Sequence, residues 1–117
     1  MSYIIDPANK SITLVEPPTS LDEAYRLLSD GNQAVDTVEL VRLATGDVFF
    51  VDEEGSYKKI QRVFKVLLTD YKGTVFMLPL TNKALVLRFE NEGGDDERIV
   101  EPVISLAQLQ EIVEWDR

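Results

Sequence analysis

Four consecutive apolar residues, Val48-Phe49-Phe50-Val51, stand between two turn signals and constrain the fold more than any other stretch. A strand with one wet face alternates apolar and polar side chains. This run does not alternate, so both of its faces must be covered by other elements. Ala44-Thr45-Gly46 joins it to a β-branched run over residues 37–43, and a glycine there can take the positive φ of a hairpin turn. Asp52-Glu53-Glu54-Gly55-Ser56 closes the run as a polar turn.

The other segments sort around this hairpin. Tyr3-Ile4-Ile5 and residues 11–15 read as two short strands around the turn residues Asp6-Pro7-Ala8-Asn9-Lys10. Pro17-Pro18 stops the second, since proline cannot donate to a ladder. Ser20 with Glu23 three residues on is a capping-box pattern, and Leu21, Ala24, Tyr25, Leu27 and Leu28 recur at helical spacing up to Asp30-Gly31-Asn32. The pattern predicts a helix over 20–30. At 3.6 residues per turn Ile60, Val63, Phe64, Leu67 and Tyr71 share one face and Lys58, Arg62 and Lys65 the other. That periodicity favours a helix over 57–71, although 62–68 is also rich in β-formers. Strands follow at 74–78 and 84–90, the latter with Leu85, Leu87 and Phe89 on one side, and 79–83 turns between them. After an acidic loop at 91–97 and an extended segment over 98–104, Ser105 with Gln108 repeats the capping box and opens a second helix over 105–115. Trp115 packs against the sheet. The expected fold is a single α+β domain, 1–117, with a mainly antiparallel sheet, the Gly46 hairpin and the 84–90 strand at its centre, and two packed helices. The expected core comprises Ile12, Leu14, Leu27, Leu28, Leu40, Val48, Phe50, Leu85, Leu87, Leu109 and Val113.

Composition removes whole classes of chemistry. The 117 residues contain neither histidine nor cysteine. That excludes disulfides, Cys or His zinc sites, thiolate nucleophiles and Ser-His-Asp catalysis. Twelve basic against 21 acidic residues give a net charge of -9, which disfavours nucleic acid and anionic lipid as direct partners. The opening residues lack the basic and apolar regions of a leader, and no apolar run reaches membrane-spanning length. A cytoplasmic chain without cofactor is expected.

Several motifs occur in a familiar order. The start Tyr3-Ile4-Ile5-Asp6-Pro7, the hairpin Gly46-Asp47-Val48-Phe49-Phe50-Val51-Asp52-Glu53-Glu54-Gly55, the segment Pro79-Leu80-Thr81-Asn82-Lys83-Ala84-Leu85-Val86-Leu87 and Glu101-Pro102-Val103-Ile104-Ser105-Leu106 span most of the chain. Together they resemble small hypothetical proteins of phages and integrated mobile elements. Glycines of that pattern fall at Asn82 and Arg88 here, and there is added length around 67–77. The resemblance implies a mobile-element setting in a host cell and extended backbone around Phe64. It implies no reaction.

Charge is segregated along the chain. Residues 57–73 hold Lys58, Lys59, Arg62, Lys65 and Lys72 against Asp70, a net of +4, leaving -13 on the remainder. Lys58, Lys59, Arg62 and Lys65 are therefore the candidate partner-binding residues, for an acidic protein or a second copy in a homo-oligomer. Asp52, Glu53, Glu54, Asp95, Asp96 and Glu97 form the candidate acidic surface. They lack the alternating ligand pattern of a calcium loop, and solvated turns that blunt edge strands are the favoured reading over a cation site. Three functions follow in order: a non-catalytic interaction protein acting by protein–protein binding; a DNA mimic that inhibits a host nuclease or restriction complex; and a self-associating accessory protein.

Overall fold

The computed structural model describes residues 1–29, 35, 37–53, 62–69 and 72–115. Among them β4 (Val48–Asp52) is buried on both faces from Val48 to Val51, as its sequence requires. Its neighbours are β7 (Ala84–Glu90) on one edge and β3 (Val38–Arg42) on the other, both antiparallel. In register, Phe50 faces Leu85 and Val48 faces Leu87. The far edge of β7 is shared: β1 (Ser2–Asp6) takes its first half and β8 (Arg98–Val100) its second. Beyond β1 lies β2 (Ser11–Val15), giving the order β2-β1-β7-β4-β3. A second sheet has the order β6-β5-β9, built from β5 (Val63–Thr69), β6 (Val75–Thr81) and β9 (Val113–Trp115).

The two faces of β4 and β7 carry separate cores. On one, Val48, Phe50, Leu85 and Leu87 pack against Ala24 and Leu28 of α1 (Leu21–Leu28) and against Val35. Phe50 and Phe89 add a tilted ring contact at 5.6 Å. On the other, Phe49, Val51, Ala84 and Val86 meet Phe64, Val66, Leu68 and Leu80 of the second sheet, with Leu109 of α2 (Leu106–Ile112) closing the layer. The result is an α+β fold of helix, sheet and sheet layers with antiparallel pairing.

Both helices start where their caps place them. Ser20 Oγ accepts from the Glu23 N–H, and Ser105 with Gln108 forms a complete capping box; such a cap is worth about 1 kcal/mol. Glu23 departs from the expected box: its carboxylate accepts from Thr19 N–H and hydroxyl rather than reaching Ser20. α1 ends at Leu28 as Ser29 turns extended, and the expected stop at Asp30-Gly31-Asn32 lies outside the described residues.

Four expectations need correction. The helix favoured over 57–71 is not formed over 63–69, which is β5; residues 57–61 and 70–71 lie outside the described residues. Burial in β5 has period two, with Phe64, Val66 and Leu68 inside and Lys65, Leu67 and Thr69 outside. Leu67 breaks the polar alternation and so mimicked a helical stripe, and pairing with two neighbouring strands decided the outcome. The second helix stops at Ile112, and 113–115 instead complete the edge of β5 as β9. The turn expected over 79–83 narrows to Asn82, at φ 68°, and Lys83, because β6 runs on through Pro79 to Thr81. Leu14 and Leu40 are exposed rather than core, since β2 and β3 are the outermost strands of the larger sheet.

Candidate functional site

The basic segment places its described cations on the β5–β6 hairpin. Lys58 and Lys59 lie outside the described residues. Arg62 immediately precedes β5, and Lys65 stands on the outer face of the hairpin, level with Pro79 on β6 and Glu114 on β9. Strand geometry parts Arg62 from Lys65, because positions an odd number apart point to opposite sides. Lys65 shares its face with Leu67 and Thr69 on β5, with Met77 and Val75 across from them on β6 and Glu114 across from Lys65 itself on β9.

That grouping is the most unusual surface among the described residues. Leu67, Val75 and Met77 are 40%, 57% and 38% exposed on that outer face at the distal half of the hairpin, while Phe76, 42% exposed, lies on the other face across from Leu68. Covering what remains of the three on the outer face would release about 2–4 kcal/mol, from the ~1.5–3 kcal/mol gained by burying each such side chain fully. Clustered exposure of this kind, rimmed by charge, marks contact sites rather than ordinary surface. Neither β5 nor β6 carries a carboxylate.

The acidic residues form no single surface. Asp52 and Glu53 end β4 beside the start of β7, whereas Asp95, Asp96 and Glu97 lie beyond the end of β7. The length of that strand, about 20 Å, separates the two groups. Glu54 lies outside the described residues. The 91–97 loop is held by its own bonds, Gly93 N–H to Glu97 at 2.6 Å and Asn91 Nδ2 to Asp96 at 3.1 Å. Nearby carboxylates are matched to cations: Glu92 with Arg42 at 2.5 Å and Glu90 with Arg98 at 2.9 Å. Hydrogen bonding to those guanidinium groups holds both carboxyls below their ordinary range, and both arginines rise correspondingly. Among the described residues no three carboxylates gather as metal ligands, and no helix is long and apolar enough to cross a membrane.

One buried acid went unassigned in the sequence. Asp47 is fully buried, and its carboxylate accepts from Thr45 Oγ1 at 2.7 Å and from the Val103 and Ile104 N–H groups at 2.8 Å each. Arg88 Nη1 approaches at 3.4 Å and also donates to Thr45 O at 2.9 Å. Every contact is to the chain itself, so the geometry is that of a clamp between the β3–β4 turn and the start of α2. Beside it a cavity of about 270 Å³ opens between that turn, β5 and α2, lined by Leu43, Leu68, Ile104 and Ile112 with Gln108 and Glu111 at the rim. It is apolar and brings no second acid or base to face Glu111.

Sequence reasoning located the basic half of the hairpin and missed the apolar half. Val75-Phe76-Met77-Leu78 was legible as a strand, but it has the same unalternating pattern as Val48-Phe49-Phe50-Val51. Nothing local distinguishes the run that is covered from the run that is not. Compared with models of protein families, with curated proteins and with solved structures, the chain matches none.

Proposed function

We propose that the chain is a non-catalytic interaction protein whose docking element is the β5–β6 hairpin. Its setting is the host cytoplasm of a phage or mobile element, as the motif resemblance implies. The observation that carries this reading is the contiguous exposure of Leu67, Val75 and Met77 on one face beside Lys65, with Phe76 exposed at the same end of the hairpin. The centre of a protein interface is depleted in charge and enriched in aromatic residues and methionine within a polar rim, and this hairpin offers Met77 and Phe76 near Lys65. The absence of histidine and cysteine, and a cavity with one rim carboxylate, supply no pair of groups for acid–base or nucleophilic work. A DNA-mimic reading draws less support, because the acidic groups sit at opposite ends of β7 and the neighbouring Glu90 and Glu92 are paired with arginines.

Photo-crosslinking in the cells that make the protein tests the reading. A benzophenone side chain replacing Met77 should yield a discrete adduct with one partner, while the same group replacing Thr13, exposed on β2, should not. Equal adducts from both positions, or none from Met77, would remove the hairpin as the docking element.

A further inference from the structure

Hairpin pairing parity shows which backbone groups of β6 face outward. Asn82 N–H donates to Arg62 O at 2.6 Å, and Arg62 N–H donates to Asn82 Oδ1 at 3.0 Å. Position 62 against 82 is therefore a hydrogen-bonded pair. In an antiparallel ladder such pairs alternate, so Phe64 with Leu80, Val66 with Leu78 and Leu68 with Phe76 turn their groups toward each other. The N–H and C=O of Val75, Met77, Pro79 and Thr81 then point to the other edge of β6. No described strand pairs with that edge.

Along it the donors are unevenly placed. Proline has no N–H, so position 79 interrupts the row and blunts the half of β6 nearest the body. Val75 and Met77 keep theirs, at the end where the side chains are most exposed. The cations around this end are Lys72, just ahead of the strand, and Lys65, whose long side chain lies across from the short ring of Pro79. A strand laid beside β6 would sit about 4.8 Å further out, and a carboxylate level with Pro79 would come within reach of Lys65. A second copy is the poorer match: a two-fold β6 pairing would set two basic hairpins side by side on bodies of net charge -9.

Resting on the hairpin reading above, we propose that the open edge at Val75–Met77 takes an extended acidic segment of a partner protein as an added antiparallel strand. Residues of the segment opposite Val75 and Met77 share their outer face and are apolar. The residue opposite Pro79, within reach of Lys65, is acidic. Main-chain bonds from Val75 and Met77 give the affinity, and Pro79 fixes where the segment must stop.

The probe is the peptide acetyl-Glu-Thr-Val-Thr-Val-Thr-Glu-amide, with a Lys-for-Glu version and a version N-methylated at both valines as counter-probes. Its binding is followed by titration and by amide exchange of the protein. The acidic peptide should slow exchange at Val75 and Met77 at least tenfold and leave the Phe76 amide, already in the ladder, unchanged. The lysine and N-methylated peptides should bind at least tenfold more weakly. Met77→Pro removes an edge donor that no internal bond uses, and it should also cost at least tenfold. The peptide variants carry the test if that protein fails to fold. Equal binding of acidic and basic peptides overturns the partner chemistry, and equal binding of the N-methylated peptide overturns edge pairing. No protection at Val75 and Met77, with crosslinking at position 77 intact, removes edge pairing and leaves the hairpin reading standing. Loss of both removes the two together. A dimer in sedimentation that Met77→Pro dissolves makes the occupant a second copy and overturns the acidic partner.

Discussion

Replacing Asp47 by alanine should be among the most damaging single changes outside the apolar core. The side chain is fully buried and takes three short hydrogen bonds, two from consecutive backbone N–H groups at Val103 and Ile104 and one from Thr45. Alanine leaves the buried Ile104 N–H and the part-buried Val103 N–H without an acceptor, at about 1–3 kcal/mol each before relaxation, while the Thr45 hydroxyl can turn to solvent. Water entering the vacated space recovers part of this, so the expected net loss is about 3–5 kcal/mol, the range seen when one side of a buried charged arrangement is deleted. For a chain of this size that lowers the melting temperature by about 10–20 °C. Asp47→Asn keeps one acceptor but turns an amide N–H toward a donor, and should lose about half as much. Arg88→Met removes a third-exposed guanidinium whose contact with Asp47 is long, 3.4 Å, and should cost about 1 kcal/mol.

Urea unfolding of the three variants, with amide exchange at Val103 and Ile104, measures this order. Exchange adds what stability alone cannot: the clamp predicts that those two amides lose protection first, because they anchor the start of α2. If Asp47→Ala stays within about 1 kcal/mol of the parent, or Arg88→Met proves the costlier change, the carboxylate is not the organising acceptor and the reasoning fails.

Other consequences can be checked on the same protein. Gly46→Ala places a Cβ 2.9 Å from Arg88 Nη1 at a φ of +90°, and should lower stability by about 1–3 kcal/mol in thermal melts. Phe50→Ala, in the core between the larger sheet and α1, should cost about 3–5 kcal/mol in urea titrations. Glu90 and Glu92 are held below the ordinary carboxyl value of 4.5 by Arg98 and Arg42. Their contribution is present above that value and is lost as pH falls through their lower folded values, so the urea midpoint should drop on acidification below about pH 5. Glu90→Gln with Glu92→Gln, or added salt, should flatten that part of the profile, since both pairs are exposed.

Much of the architecture was legible because local chemistry and tertiary demand agree. The caps at Ser20 and Ser105 start helices wherever the following residues allow, and Gly46 closes a turn that few other residues could. The run at Val48 required cover on both faces and received a helix layer on one and a sheet on the other. The second sheet was not legible, because each of its strands sends a mixed local signal. β5 has Leu67 where alternation wants a polar residue, β9 is three residues ending a helical pattern, and β6 contains a proline. Each becomes a strand only through the others, and a pairing across almost fifty residues leaves no local trace. Asp47 was hidden for the same reason: its partners at Val103 and Ile104 are more than fifty positions away.

The candidate site shows the limit most sharply in Val75-Phe76-Met77 and Val48-Phe49-Phe50. Their patterns are interchangeable, yet one is the most enclosed stretch of the fold and the other the most exposed apolar stretch. Position in the sheet separates them: among the described strands β4 is paired on each edge and β6 on one. Exposed edges of this composition invite pairing, and chains commonly suppress it with proline or charge. Pro79 suppresses it over one half of β6, and no described strand covers the apolar half. Were the edge merely a fault tolerated by the fold, Met77→Lys should raise solubility and change nothing else. If the edge is a docking strand, the same substitution should raise solubility and abolish the crosslinked adduct, read here from a benzophenone at Val75. An adduct that survives Met77→Lys would return this edge to ordinary surface.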